Sequence, residues 1–171
     1  MRDEPPPIEA PFQVEGLTVL PAWIDSNGHF NIAYYLHCFD LAFDRVFERF
    51  GFEHGMIAKQ QASTFAAEMH LSFKRELFEG APLRITSQLV DFDAKRCHFI
   101  QAMYHAEEGY LAATVEWLLL YIDMTQRKVT TMPASLQAHL GRVLEAHRTV
   151  PLPGPIGRGI AIPKRTAAET V

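Results

Sequence analysis

Asp25, Asn27, His29 and Asn31 alternate with small or apolar residues in Trp23-Ile-Asp-Ser-Asn-Gly-His-Phe-Asn31. A carboxylate, two amides and an imidazole are thereby gathered around one turn, which Asn27-Gly28 marks as tight. A strongly amphipathic stretch follows, so the turn leads into the start of a helix. The free N–H groups and the dipole of a helix N-terminus favour developing negative charge. A carboxylate held there suits a nucleophile or a general base acting on a carbonyl. Asp25 is the leading catalytic candidate, and its competing reading is a residue that merely caps its own turn. Asn27, Gly28, His29 and Asn31 are read as supports: Asn27 and Gly28 for the turn, His29 to hold the loop, Asn31 to cap the helix.

Glu68 and His70 stand two residues apart on a stretch of period two, hence on one strand face. A polar strand face is ordinarily just wet, but a carboxylate midway along a sheet that meets a partner is costly unless used. Glu68 is therefore the second catalytic candidate, as base or as a contact for a polar acyl group. Glu116, between Val115 and Trp117-Leu-Leu-Leu120, is out of place on an apolar strand and joins His70 as a candidate for a polar acyl pocket. Lys74, Arg75, Lys95, Arg96 and Arg158 are candidates for binding phosphates, each with the competing reading of an ordinary solvated charge.

The elements that must position these groups can be read from hydrophobic spacing. Residues 12–20 alternate as a first strand. Leu36, Phe39, Phe43, Val46, Phe47 and Phe50 recur at three- and four-residue steps, predicting a helix over 32–50 that Gly51 stops. After a loop over 52–61 the period becomes two. Phe65, Ala67, Met69, Leu71 and Phe73 are expected on one strand face, with Thr64, Glu68, His70, Ser72 and Lys74 on the other. Strands are expected over 83–93, 98–105 and 110–123, with a short extended piece at 129–131. The short polar connections at 91–96 and 106–109 favour antiparallel hairpins. The strand around Trp117–Ile122 is apolar on both faces and is expected to be central. Pro133 opens a C-terminal helix, and Pro151, Pro153, Pro155 and Pro163 make the tail extended.

The order predicts an α+β layer: an antiparallel sheet with one long helix against one face and a C-terminal helix added. The organisation expected is a flexible arm at 1–11, one domain at 12–148 and an extended Pro-rich tail at 149–171. A single helix covers one sheet face only, so the other face and the edges are expected to meet a second subunit.

With 171 residues the chain suits one domain. A net charge of -4 argues against nucleic-acid binding, and no apolar run is long enough to span a bilayer. The N-terminus lacks the apolar core of a signal peptide, and Cys38 and Cys97 lack CxxC spacing, so a reducing cytoplasm is the expected location. The eight histidines show no HExxH or Cys-paired spacing, so no metal is expected. GxSxG, Walker and GxGxxG patterns are absent as well, which removes the common serine-hydrolase, NTPase and dinucleotide readings.

The run from Trp23 to Leu36, with Asp25, Gly28-His29-x-Asn31 and a tyrosine pair, resembles the signature of hotdog-fold acyl-CoA thioesterases of the 4-hydroxybenzoyl-CoA thioesterase type. The resemblance covers roughly residues 14–130. It implies the hotdog fold, hydrolysis of an acyl-CoA to free acid and CoA, and a homodimer or homotetramer with its site at a subunit interface. It also implies oxyanion donors at Ser63 and Thr64, the amides of Gly28–Phe30 being the alternative. No cofactor is implied, because CoA enters as part of the substrate. A second, weaker likeness is to thioesterases linked to carnitine and betaine metabolism. It is carried by Glu68-x-His70, Glu116 and Gly157-Arg-Gly-Ile-Ala-Ile-Pro163, while Phe30-Asn31-Ile32 departs from it.

Two other functions compete. Hotdog hydratases use an Asp-x-Asn-x-x-His spacing, which Asp25-x-Asn27-x-His29 misses by one residue. A non-catalytic acyl-CoA binding protein on the same fold would have no need of a reactive Asp25.

Overall fold

The computed structural model describes residues 7–162. Six strands, β1 (Phe12–Thr18), β2 (Ala62–Phe73), β3 (Pro82–Phe92), β4 (Arg96–His105), β5 (Leu111–Asp123) and β6 (Lys128–Val129), form one antiparallel sheet. Its order is β1-β3-β4-β5-β2, with β6 added beside β5. β5, apolar on both faces, lies inside the sheet as its sequence requires. β2 lies at an edge.

Helix α1 (Ile32–Val46) packs on one face. Asn31 caps it, its side chain accepting the Ala33 N–H at 3.0 Å. Tyr35, Cys38, Phe39, Ala42 and Val46 are its buried stripe, set against Ile85, Leu89, Phe99, Met103, Val115 and Trp117 in one core. One polar link crosses that core. Gln101 donates to the Phe39 carbonyl (3.2 Å) and to Ser87 Oγ (3.0 Å), and accepts from Trp117 Nε1 at 2.8 Å. Every group of this fully buried amide that needs a partner has one, which is the condition for burying it.

The helix ends earlier than its apolar stripe suggests. Phe47–Phe50 tightens into a 3-10 turn, and Gly51 then takes φ +89°. A Cβ at Gly51 would stand 2.8 Å from the His139 ring, so glycine is needed there for space as well as for conformation. The expected loop over 52–61 contains a short helix, α2 (Met56–Gln60), too brief to show a period. The C-terminal helix α3 (Ala134–His147) has Pro133 as its N-cap residue.

In β2 the strict alternation fails. The pairing steps from Ala66↔Leu119 to Glu68↔Leu118, leaving Ala67 as the extra residue of a bulge. Phe65 therefore shares a face with Glu68, His70 and Ser72, while Thr64 shares the helix-side face with Met69, Leu71 and Phe73. A bulge inverts every side chain beyond it, and nothing in the local composition marks this one.

Part of the face away from α1 is covered within the single chain. Thr86, Gln88, Ile100, Ala102 and Thr114 are buried there within the single chain. Residues 150–162 run across it as a strap. Gln88 Nε2 donates to the carbonyls of His147 (2.9 Å) and Val150 (3.2 Å), and the Gly157 N–H reaches the Glu116 carboxylate at 2.9 and 3.0 Å. The tail is docked as far as Gly157, whereas Ile160 and Ile162 are over 90% exposed. The end of the N-terminal arm is held too. Ile8 packs on the core, the Glu9 carboxylate pairs with Arg49, and the Glu9 carbonyl accepts from His147 Nε2 at 3.1 Å. The rest of the expected flexible arm, residues 1–6, and residues 163–171 of the tail lie outside the described residues.

Candidate active site

The loop from β1 to α1 is closed by backbone pairing. An Ile24↔Phe30 bridge brings its two arms together, and the Asp25 N–H donates to the His29 carbonyl at 2.9 Å. The Gly28 N–H returns to the Asp25 carbonyl at 3.0 Å, closing a four-residue turn with Gly28 at φ +79°. That positive φ suits glycine and sets the register of the small hairpin.

Asp25 Oδ1 accepts from the Asn27 N–H (2.8 Å) and more distantly from the His29 N–H (3.4 Å). These bonds fix the carboxylate, while among the described residues Oδ2 has no hydrogen-bond partner. The turn-capping and catalytic readings are thus compatible: one oxygen holds the turn and the other is available. His29 does not face this carboxylate. Its Nδ1 lies 3.4 Å from Glu76 and its ring meets Phe78 edge-on, which accords with a loop-holding role. The turn is anchored beside the end of β2, since the Phe30 N–H bonds the Leu77 carbonyl at 2.9 Å and Tyr35 packs on Phe73. Burial pushes the Tyr35 hydroxyl up to about 12, so it stays protonated. Burial likewise pushes Cys38 to about 11 and Cys97 to about 12, which removes both thiols as nucleophiles at neutral pH.

A second group of candidates gathers elsewhere. Glu68, His70, Arg96, His98, Glu116 and Arg158 line a cavity of about 470 Å³ on the sheet face away from α1, with Asp91 and Asp93 also in its lining. His70 and Glu116 are direct cross-strand neighbours. Glu116 Oε1 lies 2.6 Å from His98 Nε2 and also receives the Gly157 N–H, so it ties the strap to the sheet. Arg96 bonds Asp93 through Nε at 2.8 Å and through Nη2, and this holds the Asp93 carboxyl below its ordinary range. A smaller cavity of about 190 Å³ continues along the strap, lined by His70, Ser72, Lys74 and Arg158.

Residues 19–140 match the model of the thioesterase-like superfamily. The chain belongs to that family. A betainyl-CoA thioesterase of Pseudomonas aeruginosa is 34% identical over 145 residues, covering 85% of this chain and 91% of that protein. An L-carnitine dehydrogenase/betainyl-CoA thioesterase of Rhizobium meliloti is 29% identical over 88% of this chain, which spans 30% of that longer protein. Among solved structures, the Staphylococcus aureus protein SAV2348 in complex with CoA superposes with a TM-score of 0.83 at 26% identity, covering 94% of this chain and 100% of that one. The fold of this thioesterase-like protein is the hotdog fold, a wrapped antiparallel sheet around one long helix, and the protein is a thioester hydrolase.

The expected site residues therefore divide. Asp25, Asn27, Gly28, His29 and Asn31 form the turn at the start of α1. Ser63 and Thr64 lie at the opposite end of β2 from that turn. Glu68, His70, Glu116, Arg96 and Arg158 share the outer cavity, which Asp25 does not line, and Lys74 lines its extension. Arg75 is engaged with the Tyr110 ring at 3.9 Å and with Glu108 at 3.8 Å, and Lys95 lines neither cavity. Among the described residues no three of His, Cys, Asp and Glu are grouped as a metal site requires. Sequence reasoning missed Asp91, Asp93 and His98. The β4–β5 hairpin alone does not give His98: a register slip between Met103 and Tyr104 is what sets Ile100 opposite Glu116 and His98 one same-face step further along β4, and plain counting from the turn would have set Phe99 opposite Glu116.

Proposed function

We propose that this protein hydrolyses an acyl-CoA, with Asp25 acting on the thioester carbonyl. The observation that carries the reading is the half-satisfied carboxylate in the turn before α1, in a chain of this family. As a nucleophile, Oδ2 attacks the carbonyl carbon, the C–S bond breaks and CoA leaves as a thiolate that takes a proton from water, and water then cleaves the mixed anhydride to the free acid and the Asp25 carboxylate. As a general base, Oδ2 takes a proton from water, whose oxygen attacks while the C–S bond breaks. The acyl group read from the relatives is betainyl or a similarly small cationic acyl.

The site is completed by a second copy. Among the described residues β2 is an edge strand, its outer backbone groups paired with no other strand. A two-fold axis through that edge pairs β2 antiparallel with its copy. The Phe73 end, beside which the Asp25 turn is anchored, then lies next to the Ala62 end of the other chain, where Ser63 and Thr64 supply amides for the oxyanion. A cytoplasmic location accords with two free, buried cysteines.

The test is thiol release from a panel of acyl-CoAs that includes betainyl-CoA. Turnover of at least one substrate is expected, and Asp25→Asn should lose about 10²–10⁴-fold in kcat while keeping its fold. A folded variant that retains the parent rate on the best substrate removes Asp25 from the chemistry.

A further inference from the structure

The outer-face cavities lie across the sheet from the helix face on which α1 begins, and Asp25 lines neither. They are a built space. Strands β2, β3, β4 and β5 make the floor, and the strap residues Gly157, Arg158 and Gly159 make a wall. The larger one, about 470 Å³, falls within the range of small-molecule sites, about 300–1,000 Å³. Glu116 holds the wall in place by accepting the Gly157 N–H, and is itself fixed by His98 at 2.6 Å.

Both signs of charge line this groove, Arg96 and Arg158 standing in the larger cavity beside its carboxylates. The larger cavity carries Glu68, Asp91, Asp93 and Glu116. Asp93 is spent on Arg96, and Glu116 on His98 and the strap. Glu68 and Asp91 are left as exposed carboxylates facing the space. The smaller cavity has no carboxylate in its lining and carries Lys74, Arg158 and His70. Arg158 and His70 border both cavities. Glu68 and His70 are two residues apart on one strand face, roughly 7 Å.

From this arrangement we infer that the strap-walled groove is a second site, distinct from the catalytic turn, that binds a small zwitterion: its ammonium on Glu68, its carboxylate on Arg158. Acids released from cationic acyl-CoAs have this chemistry, and so do free ammonium acids from other sources. The site rests on the groove itself and not on the assignment of Asp25.

Calorimetric titration of the full chain with glycine betaine and with 4-(trimethylammonio)butanoate tests it. Choline and 3,3-dimethylbutanoate, each carrying one of the two charges, are the controls. At least one zwitterion should bind about tenfold or more tightly than either control. Glu68→Gln and Arg158→Met should each weaken it by about tenfold, while Asp25→Asn leaves its affinity unchanged. In assays of thiol release the zwitterion should change kcat rather than compete with acyl-CoA, and which zwitterion acts distinguishes released acid from another source. Equal binding of choline, retention of affinity in Glu68→Gln and Arg158→Met, loss in Asp25→Asn, or displacement by CoA would each overturn the site. Hydrolysis with no zwitterion bound would overturn it too, leaving the thioesterase reading intact.

Discussion

At the scale of single residues, Asp25 and Asn31 look alike in sequence, each a short polar side chain bonding the backbone two residues on. Their consequences differ. The Asn31 side-chain oxygen satisfies one of the orphan donors of α1, and its role ends there. Asn31→Ala should cost about 1 kcal/mol, lowering the melting temperature by about 2–4 °C, with a loss of kcat far smaller than that of Asp25→Asn. Thermal melts read beside thiol-release rates separate the two effects. If Asn31→Ala slows turnover as much as Asp25→Asn, the pair acts as a unit and Asn31 is more than a cap. That Asn31 caps was legible because capping is local: it needs only the next turn of helix. What Asp25 Oδ2 meets was not legible, because its surroundings come from segments far along the chain.

At the scale of elements, α3 and the strap are fastened through His147. Its ring is fully buried, with Nδ1 accepting the Leu89 N–H at 2.9 Å and Nε2 donating to the Glu9 carbonyl at 3.1 Å. This pattern requires the neutral ring, and burial holds its pKa below the ordinary 6.5, outweighing the opposing bond to Glu9. Below pH 6.5 the unfolded chain binds a proton that the folded ring refuses, so this contribution to stability is full above 6.5 and declines as pH falls through the folded value. Denaturant unfolding should show stability falling from pH 7 to 5, with His147→Gln less stable at pH 7 by about 1–3 kcal/mol and flatter over that range. A slope unchanged in His147→Gln would assign the acid sensitivity to other groups. The sequence had marked α3 through Leu136, Leu140, Val143 and Leu144, its apolar face, but not the histidine that locks it. Periodicity reports which face is buried. It does not report a bond to an edge 58 residues away. The same limit hid the bulge at Ala67 and the docking of the strap, both set by pairing across the sheet and not by neighbours in the chain.

At the scale of the whole molecule, one edge of the sheet is unfinished. Phe65, Met69 and Phe73 along β2 are 37–49% exposed, on a strand whose outer edge pairs with no other strand among the described residues. An edge of this length with apolar side chains is ordinarily protected by charge, by a bulge or by pairing. Here the bulge bends only its middle. Pairing with a second copy would bury all three side chains and would also set each Asp25 turn beside Ser63 and Thr64 of the other chain. Light scattering should then give at least twice the mass of one chain. Met69→Lys places two like charges near the two-fold axis, so it should shift the mass toward the monomer at micromolar concentration. Because each half-site lacks its other half in a monomer, thiol release should fall in proportion to the dimer lost, and should recover as protein concentration is raised. A folded, monomeric Met69→Lys with full activity would place the whole reaction within one chain and remove the shared site.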